Sequence, residues 1–262
     1  MKYYRMNGLG NQFYVFDLRG QAERGYQELH NLTQADYDQL VVMLDSDKAD
    51  CFMKIYNIDG SLVEACGNAT RCVARLISTE QNKNDVTIET VNRLLNAKKI
   101  RDNYQVEMGI AKTEWQDIPL AQELDAREVS VLNEAKFGKG FCVNVGNPHI
   151  VFFVADLDEV NLEKEVSHLE RNELFPEGVN INVAQIISSK IIKAKTWERG
   201  AGATLACGTG ACATFFAANQ RDLVGLEVRL DLPGGALDIS LNESNEILMT
   251  GDANLELSME NE

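Results

Sequence analysis

Two stretches of the chain repeat one word. Ala65-Cys66-Gly67-Asn68-Ala69-Thr70-Arg71-Cys72-Val73-Ala74 and Ala206-Cys207-Gly208-Thr209-Gly210-Ala211-Cys212-Ala213 each set a cysteine and a glycine at the mouth of a run with helical character. The leading cysteines lie 141 residues apart (207 − 66), a little over half of the 262-residue chain. A second echo recurs at a similar offset of 136 (147 − 11), in Gly10-Asn11-Gln12-Phe13 and Gly146-Asn147-Pro148-His149. Asn57 and Glu198 each open a turn nine residues before a leading cysteine. The spacing predicts two copies of one unit, each delivering one cysteine to a shared cleft.

A helix start leaves backbone N–H groups without intrahelical partners. The helix dipole adds partial positive charge there. Together they favour thiolate over thiol and make an anion site. Gly67 and Gly208 let the backbone come close to a bound group. Two such starts, facing one another, would grip one carboxylate through the N–H groups of Gly67, Asn68, Gly208 and Thr209. The two sulfurs would then flank the carbon attached to it.

The remaining pattern is rich in strands. Lys2–Met6, Phe13–Asp17, Gln39–Leu44, Phe52–Tyr56, 85–97 and Tyr104–Met108 read as strands in the first half. Residues 129–132, 140–145, Ile150–Val154, Asn182–Ile187, Ile191–Trp197, Glu227–Leu232, Leu237–Leu241 and 247–257 read as strands in the second. Residues 21–36 are partly helical, Asp59-Gly60 makes a hairpin turn whose return arm runs over 62–65, and 162–170 reads as a helix. Asn11 either closes the turn that precedes it or faces a ligand. The pattern is α+β, with too few helices for a Rossmann sheet. We expect two pseudo-symmetric β-rich lobes, each a sheet wrapped on a central helix, with the active site in the cleft between them. The segment 112–127, with Pro119 and alternating charges, is the best boundary. The lobes are placed at 1–114 and 115–262, the last strand being able to return to the first lobe.

Composition narrows the function. Lys+Arg is 25 and Asp+Glu is 40, a formal charge of −15. That argues against nucleic acid and anionic membrane surfaces as partners. No apolar run is long enough to span a membrane, and 1–10 lacks the apolar block of a signal peptide, so a cytoplasmic protein is expected. Six cysteines, at 51, 66, 72, 142, 207 and 212, have neither a disulfide framework's context nor the C-x2-C spacing of common zinc sites. No metal is expected. Cys51, Cys72, Cys142 and Cys212 read as small buried hydrophobes.

Taken in order, Asn7-Gly8-Leu9-Gly10-Asn11, Asn57 to Ser61, Cys66-Gly67-Asn68, Gly146-Asn147-Pro148-His149, Phe175 to Asn180, Glu198-Arg199-Gly200, Ala206 to Ala211 and Leu232 to Gly235 resemble the diaminopimelate epimerase family. Eight words in register are far more specific than any one. The resemblance implies a cofactor-independent epimerase that interconverts LL- and meso-diaminopimelate, in the route to lysine and peptidoglycan, and a homodimer. It implies that Cys66 and Cys207 are a two-base couple, one thiolate removing the α-proton while the other thiol donates on the opposite face. His149 and Glu198 match residues that tune the cysteines. Asn11, Gln39, Asn57, Asn147, Asn180, Glu198 and Arg199 match substrate-binding positions, Arg199 being suited to grip a carboxylate through two parallel bonds.

The chain departs from the family's usual pattern in four places. They are the loop Gln34-Ala35-Asp36-Tyr37-Asp38 before Gln39, Asn68-Ala69-Thr70-Arg71 in place of a stretch with a second glycine, Ile150 where a cysteine is common, and Val91-Asn92-Arg93 without a turn glycine. Three rival readings stand beside the first. A related histidine or proline-type racemase would keep both cysteines but lose Asn57, Asn180 and Arg199. The phenazine-biosynthesis isomerase group lacks the cysteine pair. A redox switch would join Cys66 to Cys207 in a disulfide.

Overall fold

The computed structural model describes residues 1–33, 36–63 and 66–260. Part of the loop before Gln39 (Gln34 and Ala35) and the end of the return arm after the Asp59-Gly60 turn (Glu64 and Ala65) lie outside the described residues. The chain forms two compact units, one from 1–107 with 250–262 and the other from 108–249.

The first unit opens on an antiparallel hairpin, Lys2–Gly8 against Asn11–Asp17. Its two-residue turn holds Leu9 and Gly10 at φ 51° and 84°. Positive φ at both central residues is the turn that matches strand twist, and it strains a leucine by about 1 kcal/mol. The strain is held by Asp252, whose Oδ1 accepts from Leu9 N at 3.1 Å, and by burial of the leucine side chain. Asn11–Asp17 then runs parallel to Gln39–Leu44, which runs antiparallel to Cys51–Asn57. Cys51–Asn57 carries the short Leu62–Val63 and the parallel Asp85–Glu89. Leu94–Ile100 and Asn103–Gly109 follow as antiparallel neighbours, and Asn254–Glu260 closes against Lys2–Gly8.

The second unit repeats these joins in order. Phe141–Asn144 is antiparallel to Pro148–Phe153, which is parallel to Asn180–Ser188. Asn180–Ser188 is antiparallel to Ile191–Glu198. That strand carries the short Gly202–Thr204 and the parallel Glu227–Leu232, itself paired with Gly235–Leu241. The register makes the correspondence specific. Phe13 pairs with Gln39 as His149 pairs with Asn180. Gln39 pairs with Asn57, and Ile181 pairs with Trp197, which sets Asn180 beside Glu198. Gln39 and Asn180, Asn57 and Glu198, and Cys66 and Cys207 are thus equivalent positions at one offset of 141, while Asn11 and Asn147 keep 136. The difference falls in the parallel crossover. It holds the helix Tyr26–His30 in the first unit and a longer piece, Leu162–Glu165 with a 3-10 turn over Ser167–Arg171, in the second.

Each unit wraps its sheet on one central helix. Gly67–Gln81 packs on Lys2–Gly8, Asn11–Asp17, Asp85–Glu89 and Leu94–Ile100. Gly208–Gln220 packs on the strands of the second unit and is buried on nearly every face. Its composition of Ala, Cys, Thr and Phe explains this, since a helix apolar all round belongs in a core. The first helix ends at Asn82 in the left-handed conformation (φ 49°, ψ 47°), a common C-terminal stop.

The turn at 91–93 divides 85–97 into two strands, Asp85–Glu89 and Leu94–Ile100, with Thr90 N donating to Arg93 O at 2.9 Å. Two expected elements differ. In place of a strand over 129–132 there is one isolated bridge, Val129 to Gly140. Asn133 then caps a four-residue helix, its Oδ1 accepting from Ala135 N at 3.0 Å, and turns the chain away. The 162–170 helix breaks at Val166, a fully buried residue at φ −127°. Among the described residues no helix is long and apolar enough to cross a membrane.

Candidate functional site

Both leading cysteines sit at the N-cap of their helix with extended backbone, φ −143° at Cys66 and φ −124° at Cys207. Cys66 is half-buried, and its carbonyl accepts both the N–H and the hydroxyl of Thr70 at 2.9 Å. Gly67 and Asn68 follow, both buried. The Asn68 amide Nδ2 donates to Asn11 Oδ1 at 2.7 Å, so Asn11 is joined to the helix start. Asn68 Oδ1 in turn accepts from the guanidinium of Arg71 at 2.9 Å.

Gln39 and Asn57, neighbours on adjacent strands, form a second group. Gln39 Nε2 donates to Asn57 Oδ1 at 3.1 Å, and Asn57 Nδ2 donates to Ser61 Oγ at 3.1 Å. Ser61 Oγ donates to Asp59 Oδ1 at 2.6 Å. Gln39 Oε1 is buried with no hydrogen-bond partner among the described residues. A buried acceptor left over in this way suits a donor such as an ammonium.

In the second unit the Cys207 sulfur acts as its own helix's cap. It accepts from Gly210 N at 3.4 Å, and Thr209 Oγ1 lies 3.5 Å away. Two effects oppose each other there. Burial raises the thiol's pKa, the Glu198 carboxylate raises it further, and the Thr209 hydroxyl and the Gly210 N–H lower it. Burial wins, and Cys207 is held well above the ordinary thiol range. Glu198 also takes a hydrogen bond from Thr204 Oγ1 at 2.5 Å.

His149 is fully buried. Asn182 Nδ2 can only donate, so the Nδ1 it meets at 3.1 Å is the acceptor. Nε2 therefore carries the proton and donates to Asn147 Oδ1 at 2.8 Å. Burial, with the Arg199 charge second, lowers the imidazole to about 3, so the ring is neutral near pH 7. Thr196 Oγ1 closes the chain on Asn182 Oδ1 at 2.9 Å. This group lies against the second helix's first turn, because a Cβ on Gly210 would stand 2.5 Å from Asn182 Oδ1.

Asn180 spends its side chain on backbone, giving Nδ2 to Pro148 O at 2.8 Å and taking Arg199 N at 3.0 Å. The exposed Arg199 donates Nη1 to Glu177 O at 2.6 Å. A cavity of about 340 Å³ beside it is lined by Arg171, Glu173, Phe175, Glu177 and Gly178. A larger one, about 380 Å³, is lined by Lys83, Asp85, Thr87 and Asn96 and includes none of the residues named from sequence.

The structure thus groups Cys66, Gly67, Asn68 and Asn11, pairs Gln39 with Asn57, joins Cys207, Gly208, Thr209 and Glu198, and ties Asn147 to His149 and Asn180 to Arg199. Three residues that hold these groups lie outside the sequence motifs, Asn182, Thr196 and Glu170, and a fourth, Arg71, lies inside the first repeated word with no role read from it. Glu170 accepts from Gly200 N at 3.1 Å and from Trp197 Nε1 at 2.8 Å, clamping the turn that bears Glu198 and Arg199. Among the described residues no cluster of three or more His, Cys, Asp or Glu side chains is placed to hold a metal ion.

The sequence model of the family described as diaminopimelate epimerase matches residues 3–114 and 141–256. A diaminopimelate epimerase of Pelagibacter ubique is 39% identical over 260 residues, covering 96% of this chain and 95% of that protein. One of Zymomonas mobilis is 42% identical over 257 residues, covering 96% and 93%. Among solved structures, a phenazine biosynthesis protein of the PhzF family from Enterococcus faecalis aligns with a TM-score of 0.73 at 15% identity, covering 100% of this chain and 98% of that one. A hydroxyproline epimerase from Agrobacterium vitis aligns at 0.67 and 14%, covering 99% and 91%. Those two likenesses show the fold.

Proposed function

The chain belongs to the diaminopimelate epimerase family and is an isomerase, and from that premise we propose that Cys66 and Cys207 carry its two proton transfers. One observation carries the assignment: each cysteine is the N-cap of the central helix at equivalent places of a repeated unit.

The reaction inverts an α-carbon of diaminopimelate. An α-hydrogen beside a carboxylate is a very weak acid, so the carbanion must be stabilised by fixed donors in a water-poor site. The N–H groups of Gly67, Asn68, Gly208 and Thr209 are those donors in this reading. Burial and the Glu198 charge favour Cys207 as a thiol at rest. In that direction the Cys66 thiolate takes the α-proton, the electron pair stays on carbon and carboxylate, and the Cys207 S–H returns a proton on the other face. Cys66 ends as thiol and Cys207 as thiolate, and the reverse reaction runs the same steps backwards. Thr209 and the Gly210 N–H receive the charge that Cys207 then carries. Glu198 tunes Cys207 directly. His149, neutral and bound to Asn147, acts on the site through that amide.

The distal end of the substrate carries an ammonium and a carboxylate. Arg199 and the amides of Asn11 and Asn147 suit the carboxylate, and Gln39 Oε1 suits the ammonium, with Asn57, Asn180 and Glu198 fixing these groups. A cytoplasmic homodimer completes the reading, supported by the family resemblance alone. Light scattering on the purified protein tests the dimer.

The decisive experiment follows the α-hydrogen. In deuterated water the protein loads deuterium at the reacting carbon of diaminopimelate. Cys66→Ala and Cys207→Ala each lower epimerisation by about 10²–10⁴-fold or more, the range for losing an obligatory proton-transfer group. Near-normal turnover in either variant rejects the two-cysteine scheme.

A further inference from the structure

We propose that Arg71 is a positioning residue which, through Asn68, aims the side-chain N–H groups of Asn11 at an anionic acceptor on the substrate. The inference rests on the reading of Asn11 as a substrate-binding residue.

An asparagine side chain has one accepting end and one donating end, and its neighbours decide which faces where. Arg71 is 0% exposed and can only donate. Its Nε gives to Asp252 O at 2.9 Å and its Nη2 gives to Asn68 Oδ1 at 2.9 Å. Asn68 must therefore turn its oxygen to Arg71, which sends its Nδ2 towards Asn11. Asn11 must then turn its own oxygen inward, because a reversed amide would set two donors face to face. The end of Asn11 left over is Nδ2, on a half-buried residue at the end of the first hairpin turn.

The second unit reaches the same result with different parts. Asn147, equivalent to Asn11, has its oxygen taken by His149, which is fixed by Asn182 and then by Thr196. One relay begins at a guanidinium and the other at a hydroxyl. Both cap the oxygen of the equivalent asparagine and leave its N–H groups for another acceptor. Orientation of that amide is what the two relays share.

The competing account is that Arg71 only ties the closing segment to the helix through Asp252. A double-mutant cycle separates the two. Asn68→Asp keeps an acceptor for Arg71, and so keeps the tie, but offers Asn11 no donor. With diaminopimelate, Asn68→Asp is expected to lower kcat/KM about tenfold, mainly through KM, the size of one lost hydrogen bond. In an Asn11→Ala background the same change is expected to cost several-fold less, because the amide it orients is gone and only the added charge at the helix start remains. Equal losses in both backgrounds overturn the proposal and leave Arg71 as a tie, as does an Asn68→Asp enzyme with unchanged KM. Should Asn68→Asp fail to fold, Arg71→Lys enters the same cycle with the same two outcomes. Wild-type protein that does not epimerise diaminopimelate refutes the functional reading instead, so the two failures are distinguishable.

Discussion

The backbone N–H of Gly210 points at the sulfur of Cys207 from 3.4 Å, and the Glu198 carboxylate acts on the same sulfur with the opposite sign. The first favours thiolate and the second favours thiol. Glu198→Gln removes the charge but keeps the shape and the burial, so the Cys207 pKa falls. At pH 8 the thiolate fraction then rises, and alkylation of Cys207 by iodoacetamide, followed by mass spectrometry of its peptide, should run several-fold faster than in wild type. Comparing the two proteins cancels the shielding by burial. An equal or slower rate would show that the Glu198 charge does not govern the thiol.

His149 predicts an acid-side instability. Its folded pKa, about 3, lies below the unfolded value near 6.5. The unfolded state therefore binds the proton first, and stability is lost as pH falls below about 6.5. The slope tends to about 1.4 kcal/mol per pH unit from this one group. Urea midpoints at pH 7 and pH 5 should show a drop in wild type that is smaller in His149→Leu. The buried ring should also give nitrogen NMR shifts of an Nε2–H tautomer that do not titrate from pH 8 to pH 5.

Gly210 is needed for space. A Cβ there would stand 2.5 Å from Asn182 Oδ1, 2.9 Å from Thr196 Oγ1 and 3.2 Å from Cys207 Cβ. Gly210→Ala should cost about 1–3 kcal/mol by overpacking, against a helix-propensity gain of about 1 kcal/mol. Overpacking wins, and Tm should fall by a few degrees in a thermal melt. The same shift disturbs the relay to Asn147, so KM for diaminopimelate should rise in the folded variant. A higher Tm would mean that Asn182 and Thr196 yield easily.

The repeat was legible because strand register transmits spacing. Gln39, Asn57 and Cys66 keep their mutual distances in Asn180, Glu198 and Cys207, since paired strands and a helix start allow no insertion. Asn11 and Asn147 keep a different offset, because the crossovers between parallel strands tolerate five extra residues. The groups that hold the site were not legible. Arg71 reads as an ordinary helix charge until Asp252, 181 residues away, is seen to accept from it. Asn182 and Thr196 read as routine strand positions. The left-handed Leu9 was hidden for the same reason, since its support also comes from Asp252. Val129–Leu132 had strand composition, but Asn133 capped a helix just beyond it.

Arg199 offers the last test. Its backbone is pinned by Asn180 Oδ1, and the turn it occupies is clamped by Glu170. Its side chain packs over Gly178, where a Cβ would meet Arg199 Cδ at 2.8 Å, and spends one N–H on Glu177 O. The guanidinium is therefore held in place while most of its five donors stay available for a carboxylate. Arg199→Ala should raise KM for diaminopimelate by about 10–100-fold, the loss of a charge-assisted pair of bonds. Tm should change by less than about 2 °C, because the residue is exposed. Arg199→Lys should recover only part of the loss, since an ammonium cannot reproduce the fork. A substrate with the distal carboxylate removed should bind wild type and Arg199→Ala equally. If Arg199→Ala weakens both substrates alike, Arg199 acts on the turn rather than on the carboxylate.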